Sequence, residues 1–517
     1  MMRISSCWVV SAAAAAVFLR LALGLIPTLG LQNDETLFAN GLYQPVTVAD
    51  SLATPAGELP LMLVSYTGSL KTWLYAFVFW MFEPSVWAIR LPVALMGALS
   101  VALFARLTMR EGGQVAGVAA AGLLATDPAF LLTTCFDWGP VALQSFLGLT
   151  AVAATVQWRR TGLRHWLFFA GLAAGLALWN KALFLWTLGG VGVATALVFG
   201  EELWRRLSRW DLAAAAAGLA AGAAPLLIYN WRSAGETFAR NVGWVLSREY
   251  MIYKLGVLAS TLDSSALFGY MLDGDARAAT ALAIVFFALT VVTLVSPVLR
   301  RERILVWALI AFWVSYAPMF AGRDVGVGAH HVALLWPLPH LAVAVAAGVL
   351  ARGPRLQRAA VFAGLGLMLM LNLRFVGSFR VAAAEQGTSL IWTDAIADLH
   401  ERLEGLEPRG VVLLDWGMLS QLRALGEGRL PLLWGADAFS EHAPPEAAAS
   451  LLAHGDYVFV DHAPGKRIFG GVREGFEERL RQAGMVKRDL TTLHDRNGRA
   501  VFEVFRVSGP GADFSAD

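Results

Sequence analysis

A chain of 517 residues that is 57% hydrophobic, only 15% charged and +0.57 in mean hydropathy departs from soluble-domain composition and reads as a polytopic membrane protein. A net charge of +2, with no basic run interleaved with aromatics, excludes a nucleic-acid surface. Two cysteines, Cys7 and Cys135, support neither a disulfide framework nor a thiolate metal site.

Arg3 and the apolar run through Ala12 and Ala16 imitate a cleaved signal, but the run continues to Leu31, longer than a signal core. Cys7 to Leu31 is therefore read as a retained first span, since about 20 apolar residues cross a bilayer as a helix. Arg20 inside it must snorkel, pair or face a polar cavity, a weak pointer to a functional interior. The acid pair Asp34-Glu35 follows at the outer end. Its plain reading is that it stops the helix, because charges are cheap at the water interface. A loop then runs from Leu31 to Arg90, with Trp73, Tyr75, Phe77, Phe79, Trp80 and Phe82 crowded near its end. That aromatic density suits helices lying in the membrane interface and roofing a cavity.

Further apolar segments at 89–108, 115–134, 138–157, 166–180, 183–200, 211–230, 276–299, 304–321, 332–350 and 359–377 bring the expectation to about eleven spans. Arg106 and Arg110, then Arg159, Arg160 and Arg164, then Arg205, Arg206 and Arg209, then Arg300, Arg301 and Arg303, then Arg352, Arg355 and Arg358 occupy alternate short loops. The positive-inside rule places those loops, and Arg3, in the cytoplasm. This requires 166–180 and 183–200 to form a hairpin whose tip, Asn180-Lys181, faces outward. The outer side then receives the first loop (32–88), Cys135–Trp138, Lys181, Trp231 to Arg277 and Gly322–His331. An odd span count puts everything after Arg380 outside as well.

From residue 385 to 517 charges become frequent, and short apolar runs such as Val411–Leu414 and Tyr457–Val460 alternate with helix-like stretches. The expected fold is thus mainly α, with a transmembrane domain over 1–380 and a C-terminal extracytoplasmic α/β domain over 385–517. Asp415 and Asp461 each follow a strand, a place where α/β folds often put function, but strand-end acids are also ordinary turn residues, and that is the reading taken for both.

The outward polar residues near span ends are Asp34, Glu35, Lys71, Asp137, Lys181, Arg323, Asp324, His330 and His331. A transporter more often keeps ionisable residues at mid-membrane on broken helices within an internal repeat. The sequence shows neither repeat nor mid-span acid pairs.

Leu31-Gln32-Asn33-Asp34-Glu35-Thr36 after the first span resembles the Asp-Glu motif in the first outer loop of C-type (GT-C) glycosyltransferases, above all protein O-mannosyltransferases and the lipid A aminoarabinose transferase. Lys71-Thr72-Trp73-Leu74-Tyr75, leading through Phe82-Glu83-Pro84-Ser85 into Ala88-Ile89-Arg90-Leu91-Pro92, is similar to that family's segment after the loop lysine. Asp137 resembles its second acidic motif. Gly175-Leu176-Ala177-Leu178 before Asn180-Lys181 resembles its Thr-Lys-Gly feature, and His330-His331 before Pro337 and Pro339 stands where the family has Arg-Tyr. The usual Lys-Pro-Pro is Lys71-Thr72-Trp73 here. The resemblance covers about residues 1 to 350.

It implies an inner (plasma) membrane enzyme that moves a sugar from a polyprenyl-phosphate donor to a hydroxyl or phosphate of a protein, lipid or glycan. An attacking hydroxyl needs a base, for which Asp34 is chosen, with Glu35 as orienting partner and Asp137 to align the base, bind acceptor or help hold a divalent cation. The leaving phosphate needs cations: Lys71 first, then Lys181, Arg323, His330 and His331. No local run of oxygen ligands requires a metal, and no cofactor is specified. Two readings of other classes stand beside this one: a transporter or flippase of a lipid-linked sugar, and a non-enzymatic assembly protein acting through its outer domain. Plain structural roles also exist for single residues. Lys71 can snorkel from an interfacial helix, and His330-His331 can merely open a span.

Overall fold

The computed structural model describes residues 4–509 except 56, 242, 275, 276 and 441, so Arg3 lies outside the described residues. Among these, seven helices are long and apolar enough to cross a membrane: Cys7–Thr28, Val86–Gly112, Val141–Thr161, Phe184–Trp204, Arg209–Arg232, Arg303–Ala321 and Arg355–Glu385. Two bent pairs raise the number to nine if each is one span. The sequence predicts about eleven. The difference lies in 166–180 and 276–299, which fold as helices His165–Asn180 and Leu282–Val295 of 16 and 14 residues. At 1.5 Å per residue both fall short of a hydrocarbon core of about 30 Å. The chain is a multi-pass membrane protein all the same.

His165–Asn180 lies along Arg209–Arg232 by virtue of glycine. A Cβ on Gly171, Gly175, Gly218 or Gly222 would sit 2.0–2.4 Å from a backbone oxygen of the facing helix. Only glycine permits that approach, the close packing by which helices associate where no hydrophobic force separates protein from lipid.

Each bend has a local cause. Asp127 precedes Pro128, which excludes the helical conformation at residue 127, and the chain turns 53° between Gln114–Thr126 and Pro128–Cys135. Asp127 then caps the second piece, its Oδ1 accepting from the Phe130 N–H at 2.7 Å. The other pair, Ala329–Leu335 and Leu338–Leu350, bends 45° around Trp336-Pro337, and the Trp336 indole N–H donates to the same Asp127 oxygen at 2.9 Å. The two breaks are bonded to each other.

Polar groups separate to two ends of the bundle. At one, Arg159 pairs with Glu111 (3.4 Å) and Glu202 (3.5 Å), and Arg303 reaches Glu202 (3.7 Å). At the other gather the first loop, the turn at Asp137, the Lys181 tip and the segment before His330. Thr67 bridges Lys181, Trp244 bridges Gly322, and Thr237 Oγ1 donates to the Ser65 carbonyl at 2.6 Å. Arg20 is exposed on the outside of its helix, so it marks no polar interior.

The first loop is more structured than its composition suggests. Two short helices, Asn33–Thr36 and Phe38–Tyr43, precede an antiparallel sheet of β1 (Asp50–Thr54), β2 (Gly57–Val64) and β3 (Thr67–Gly68). These strands escape a sequence reading because β1 and β3 are short and β2 contains Pro60. Helix Leu70–Met81 then exposes Trp73, Leu74, Phe77, Trp80 and Met81 while burying Lys71, Thr72 and Tyr75. That one-sided apolar face is the feature an interfacial helix requires.

Beyond Glu385 a five-stranded sheet is ordered β5-β4-β6-β8-β7, from β4 (Gly410–Leu413), β5 (Leu432–Trp434), β6 (Tyr457–His462), β7 (Val486–His494) and β8 (Ala500–Ser508). β4 is parallel to β5 and β6, whereas β8 is antiparallel to β6 and β7. Helices Ala395–Leu406, Leu419–Leu425, Pro445–Leu452 and Val472–Ala483 accompany it. This unit sits on the first loop: the Gly30 N–H donates to Trp392 O (2.8 Å), Arg423 donates to Asn40 Oδ1 (2.8 Å), and Leu31, Phe38 and Ile89 share a core with Leu399 and Leu422. Asp415 accepts the N–H groups of Ile468 (2.9 Å) and Phe469 (3.0 Å) and faces His462 at 2.7 Å, while Asp461 pairs with Arg467. Both acids hold the loop after β6.

Candidate active site

Gln32 opens the short helix Asn33–Thr36 with a reciprocal cap. Its Oε1 accepts from the Asp34 N–H at 2.6 Å, and its own N–H donates to Glu35 Oε1 at 2.8 Å. Glu35 is wholly buried and clamped by the equally buried Arg90, whose Nε and Nη2 donate to Oε2 and Oε1 at 2.8 and 2.6 Å. The remaining N–H groups of Arg90 go to the carbonyls of Ile26 (2.7 Å), Leu29 (2.7 Å) and Gly30 (2.6 Å). All five guanidinium donors are used. This fork ties the end of the first span to the start of the second and fixes the helix on which Asp34 stands.

Adjacent helical residues point about 100° apart, so anchoring Glu35 turns Asp34 elsewhere. It is half-buried and lines a cavity of about 50 Å³ with Tyr66, Lys71, Lys181 and His330. Burial holds its carboxyl above the usual range, against the opposing pull of Lys181, an Asn33 hydrogen bond and Lys71.

Lys71 comes from helix Leu70–Met81. Its Nζ lies 2.7 Å from Asp137 Oδ2, donates to the Glu35 carbonyl at 2.9 Å and stands 4.4 Å from the Phe38 ring centroid. Asp137 occupies the turn before Val141–Thr161 with φ +42°, its Oδ1 accepting from the Ala142 N–H at 3.2 Å. It does not line the cavity and reaches it through Lys71.

Lys181 donates to the Gly139 carbonyl at 3.1 Å. Burial pulls its ammonium down to about 8, opposed by Asp34 and Asp137. Gly139 has φ +75°, and a Cβ there would stand 2.7 Å from Lys181 Nζ and 2.9 Å from His330 Cδ2. Only glycine fits both the backbone and the space. His330 packs on Trp138 with ring centroids 4.6 Å apart.

Of the residues singled out from sequence, Asp34, Lys71, Lys181 and His330 face one cavity, with Asp137 behind Lys71. Glu35 is turned away and engaged by Arg90. His331 lines a separate chamber, and Arg323 is exposed and lines neither, which sets it apart from the cations named with it. Two residues were assigned no role from the sequence, although Arg90 stands in the Ala88–Pro92 stretch that carried part of the resemblance. Arg90 is one. The other is Lys254, which donates to the carbonyls of Met319 (3.2 Å), Gly322 (3.0 Å) and Val325 and so fixes the segment leading to His330. Among the described residues no cluster of three or more His, Cys, Asp or Glu could hold a metal ion.

Residues 69–229 match the family model described as dolichyl-phosphate-mannose-protein mannosyltransferase. No curated protein matches the sequence. The crystal structure of ArnT from Cupriavidus metallidurans in the apo state superposes with a TM-score of 0.57 at 16% identity, covering 97% of this chain and 98% of that one. The apo oligosaccharyltransferase of Archaeoglobus fulgidus gives 0.52 at 14% identity, over 89% of this chain and 70% of that one. At such identities the likeness concerns the fold. The matched family segment contains Lys71, Asp137 and Lys181, and together with the shared fold it bears out the resemblance carried by the loop motifs: this membrane protein has the fold of the GT-C glycosyltransferases and resembles their mannosyltransferase family over residues 69–229.

Proposed function

We propose that the protein transfers a sugar from a polyprenyl-phosphate donor to an acceptor hydroxyl at the extracytoplasmic face of the inner membrane. The observation that carries this reading is a carboxylate of raised proton affinity facing two buried lysines across one cavity. As the acceptor oxygen bonds to the anomeric carbon, its proton passes to Asp34 and the bond from that carbon to the phosphate oxygen breaks. The departing polyprenyl phosphate gains negative charge, which Lys181 and Lys71 meet. Lys71 commits hydrogens to Asp137 and the Glu35 carbonyl, so Asp137 orients it, whereas Lys181 commits one to Gly139. Arg323 is left out of this scheme.

A groove of about 500 Å³ through the membrane part suits the polyprenyl chain. Leu107, Leu149, Val152, Leu188 and Leu341 line it, and so does Gln144, whose Oε1 accepts from Asn180 beside Lys181 at 2.9 Å. The groove therefore begins next to the cation that would meet the phosphate.

The test is donor binding and turnover in the purified full-length protein, with polyprenyl-phosphate mannose as first donor. Lys71→Met and Lys181→Met should each raise the donor dissociation constant and lower the turnover number, since a cation facing the phosphate serves both the bound state and the leaving group. A wild-type protein that carries the lipid across vesicles without sugar transfer would instead be a flippase.

The pH profile should be bell-shaped. Asp34 acts only when ionised, so activity rises with pH through its elevated pKa. Lys181 acts only when protonated, so activity falls as pH passes about 8. In Lys181→Arg, whose side chain stays charged, the alkaline limb should move up by more than one pH unit, as a rough figure. An unmoved limb would assign it to another group.

A further inference from the structure

The cavity at Asp34 is too small for a sugar. At about 10–15 Å³ per water-sized group, its 50 Å³ takes a handful of atoms, against about a dozen non-hydrogen atoms in a hexose. A second chamber of about 110 Å³ adjoins it, with Tyr66 lining both, and only the two together have room for about a dozen such groups. The histidine pair straddles the division: His330 lines the first and His331 the second, their ring centroids 4.2 Å apart.

His331 is only 7% exposed, yet its Nδ1 has no hydrogen-bond partner among the described residues. A buried ring nitrogen left unmet is costly, and a hydroxyl in the chamber would satisfy it. The other walls carry a hydroxyl (Thr237), an amide (Asn241), a carboxylate (Asp324) and the aromatic rings of Trp186 and Phe238. Asn241 is already oriented, its Nδ2 donating to Ser65 Oγ at 3.0 Å and to the Thr237 carbonyl at 2.9 Å. Ala182, Leu183, Leu185 and Val325 complete the lining; among the described residues no lysine or arginine lines this chamber, so it does not suit a phosphate, and at about 110 Å³ it is too small for a polyprenyl chain. Aromatic surface with a few placed hydroxyl-recognising groups suits a pyranose ring.

We infer that this side chamber is the subsite for the pyranose ring of a substrate, holding the ring while its reacting carbon projects between Asp34 and Lys181. The assignment rests on the glycosyltransferase reading above. It makes Asn241, Trp186 and His331 specificity-determining residues.

The test titrates the full-length protein in lipid nanodiscs with sugar-free polyprenyl phosphate and with polyprenyl phosphates carrying mannose, glucose or an aminopentose, and follows turnover with each. Asn241→Ala and Trp186→Leu should weaken binding of sugar-bearing donors by about tenfold, the loss of one or two ligand contacts. Sugar-free polyprenyl phosphate should bind both variants as it binds wild type, which also shows that they are folded. Unchanged donor binding with a comparable rise in acceptor KM would place the acceptor's ring there instead. Variants that match wild type throughout, or that lose sugar-free and sugar-bearing lipid alike, would overturn the subsite. A wild type that transfers none of these sugars would overturn the glycosyltransferase reading itself.

Discussion

Asp34→Asn is expected to lower sugar transfer by roughly 10²- to 10⁴-fold, the usual contribution of a positioned general base. Asparagine keeps the shape and hydrogen-bonding outline of the side chain but cannot take a proton at the working pH. The helix itself does not depend on the charge: its cap uses the Asp34 backbone N–H, and the carboxylate that holds the two spans together is that of Glu35. Donor affinity should therefore stay near wild type, and the unfolding temperature in detergent should not fall. Single-turnover measurement with saturating donor separates the chemical step from binding. Near-normal turnover would transfer the role of base away from Asp34, with Asp137 next in line through its contact with Lys71.

Arg90→Met should have the largest effect on stability. It strands the Glu35 carboxylate in a wholly buried site and leaves the carbonyls of Ile26, Leu29 and Gly30 without their donor. Removing one partner of a buried ion pair typically costs about 3–5 kcal/mol. Arg90→Lys should recover only part of this, because an ammonium cannot span both carboxylate oxygens and three carbonyls in one planar fork. Activity should fall as well, since the helix carrying Asp34 is held by Glu35. Pairing Arg90→Met with Glu35→Gln tests the coupling: the double variant should be less destabilised than the sum of the single changes. Strict additivity would show that Glu35 and Arg90 act separately.

The sequence by itself determined the membrane character, the helical bulk, the sheet-containing C-terminal region and the loops between apolar segments in which charges collect. All of these follow from local composition: long apolar runs have one stable form in lipid, and arginines gather in the loops between them. Asp34, Lys71, Asp137 and Lys181 were legible too, because each is an ionisable residue at a helix end next to apolar sequence. Which of two adjacent residues faces the chemistry was not. Glu35 and Asp34 are equivalent in composition, and only the arginine 55 positions away decides that Glu35 is the anchor and Asp34 the free carboxylate. The same applies to His330 and His331, adjacent helical residues that point apart and so line two different chambers. Arg323 and Arg20 show the converse. Their positions in sequence suggested function, and the fold leaves both exposed. The count of spans also needed the tertiary structure, since a helix of 14 or 16 residues is too short alone and is held by its neighbours, in one case through four glycines that carry meaning only as a facing set. Local composition fixes where a segment can lie. Distant contacts fix what its side chains face, because that depends on hydrogen bonds and close packing between residues far apart in the chain.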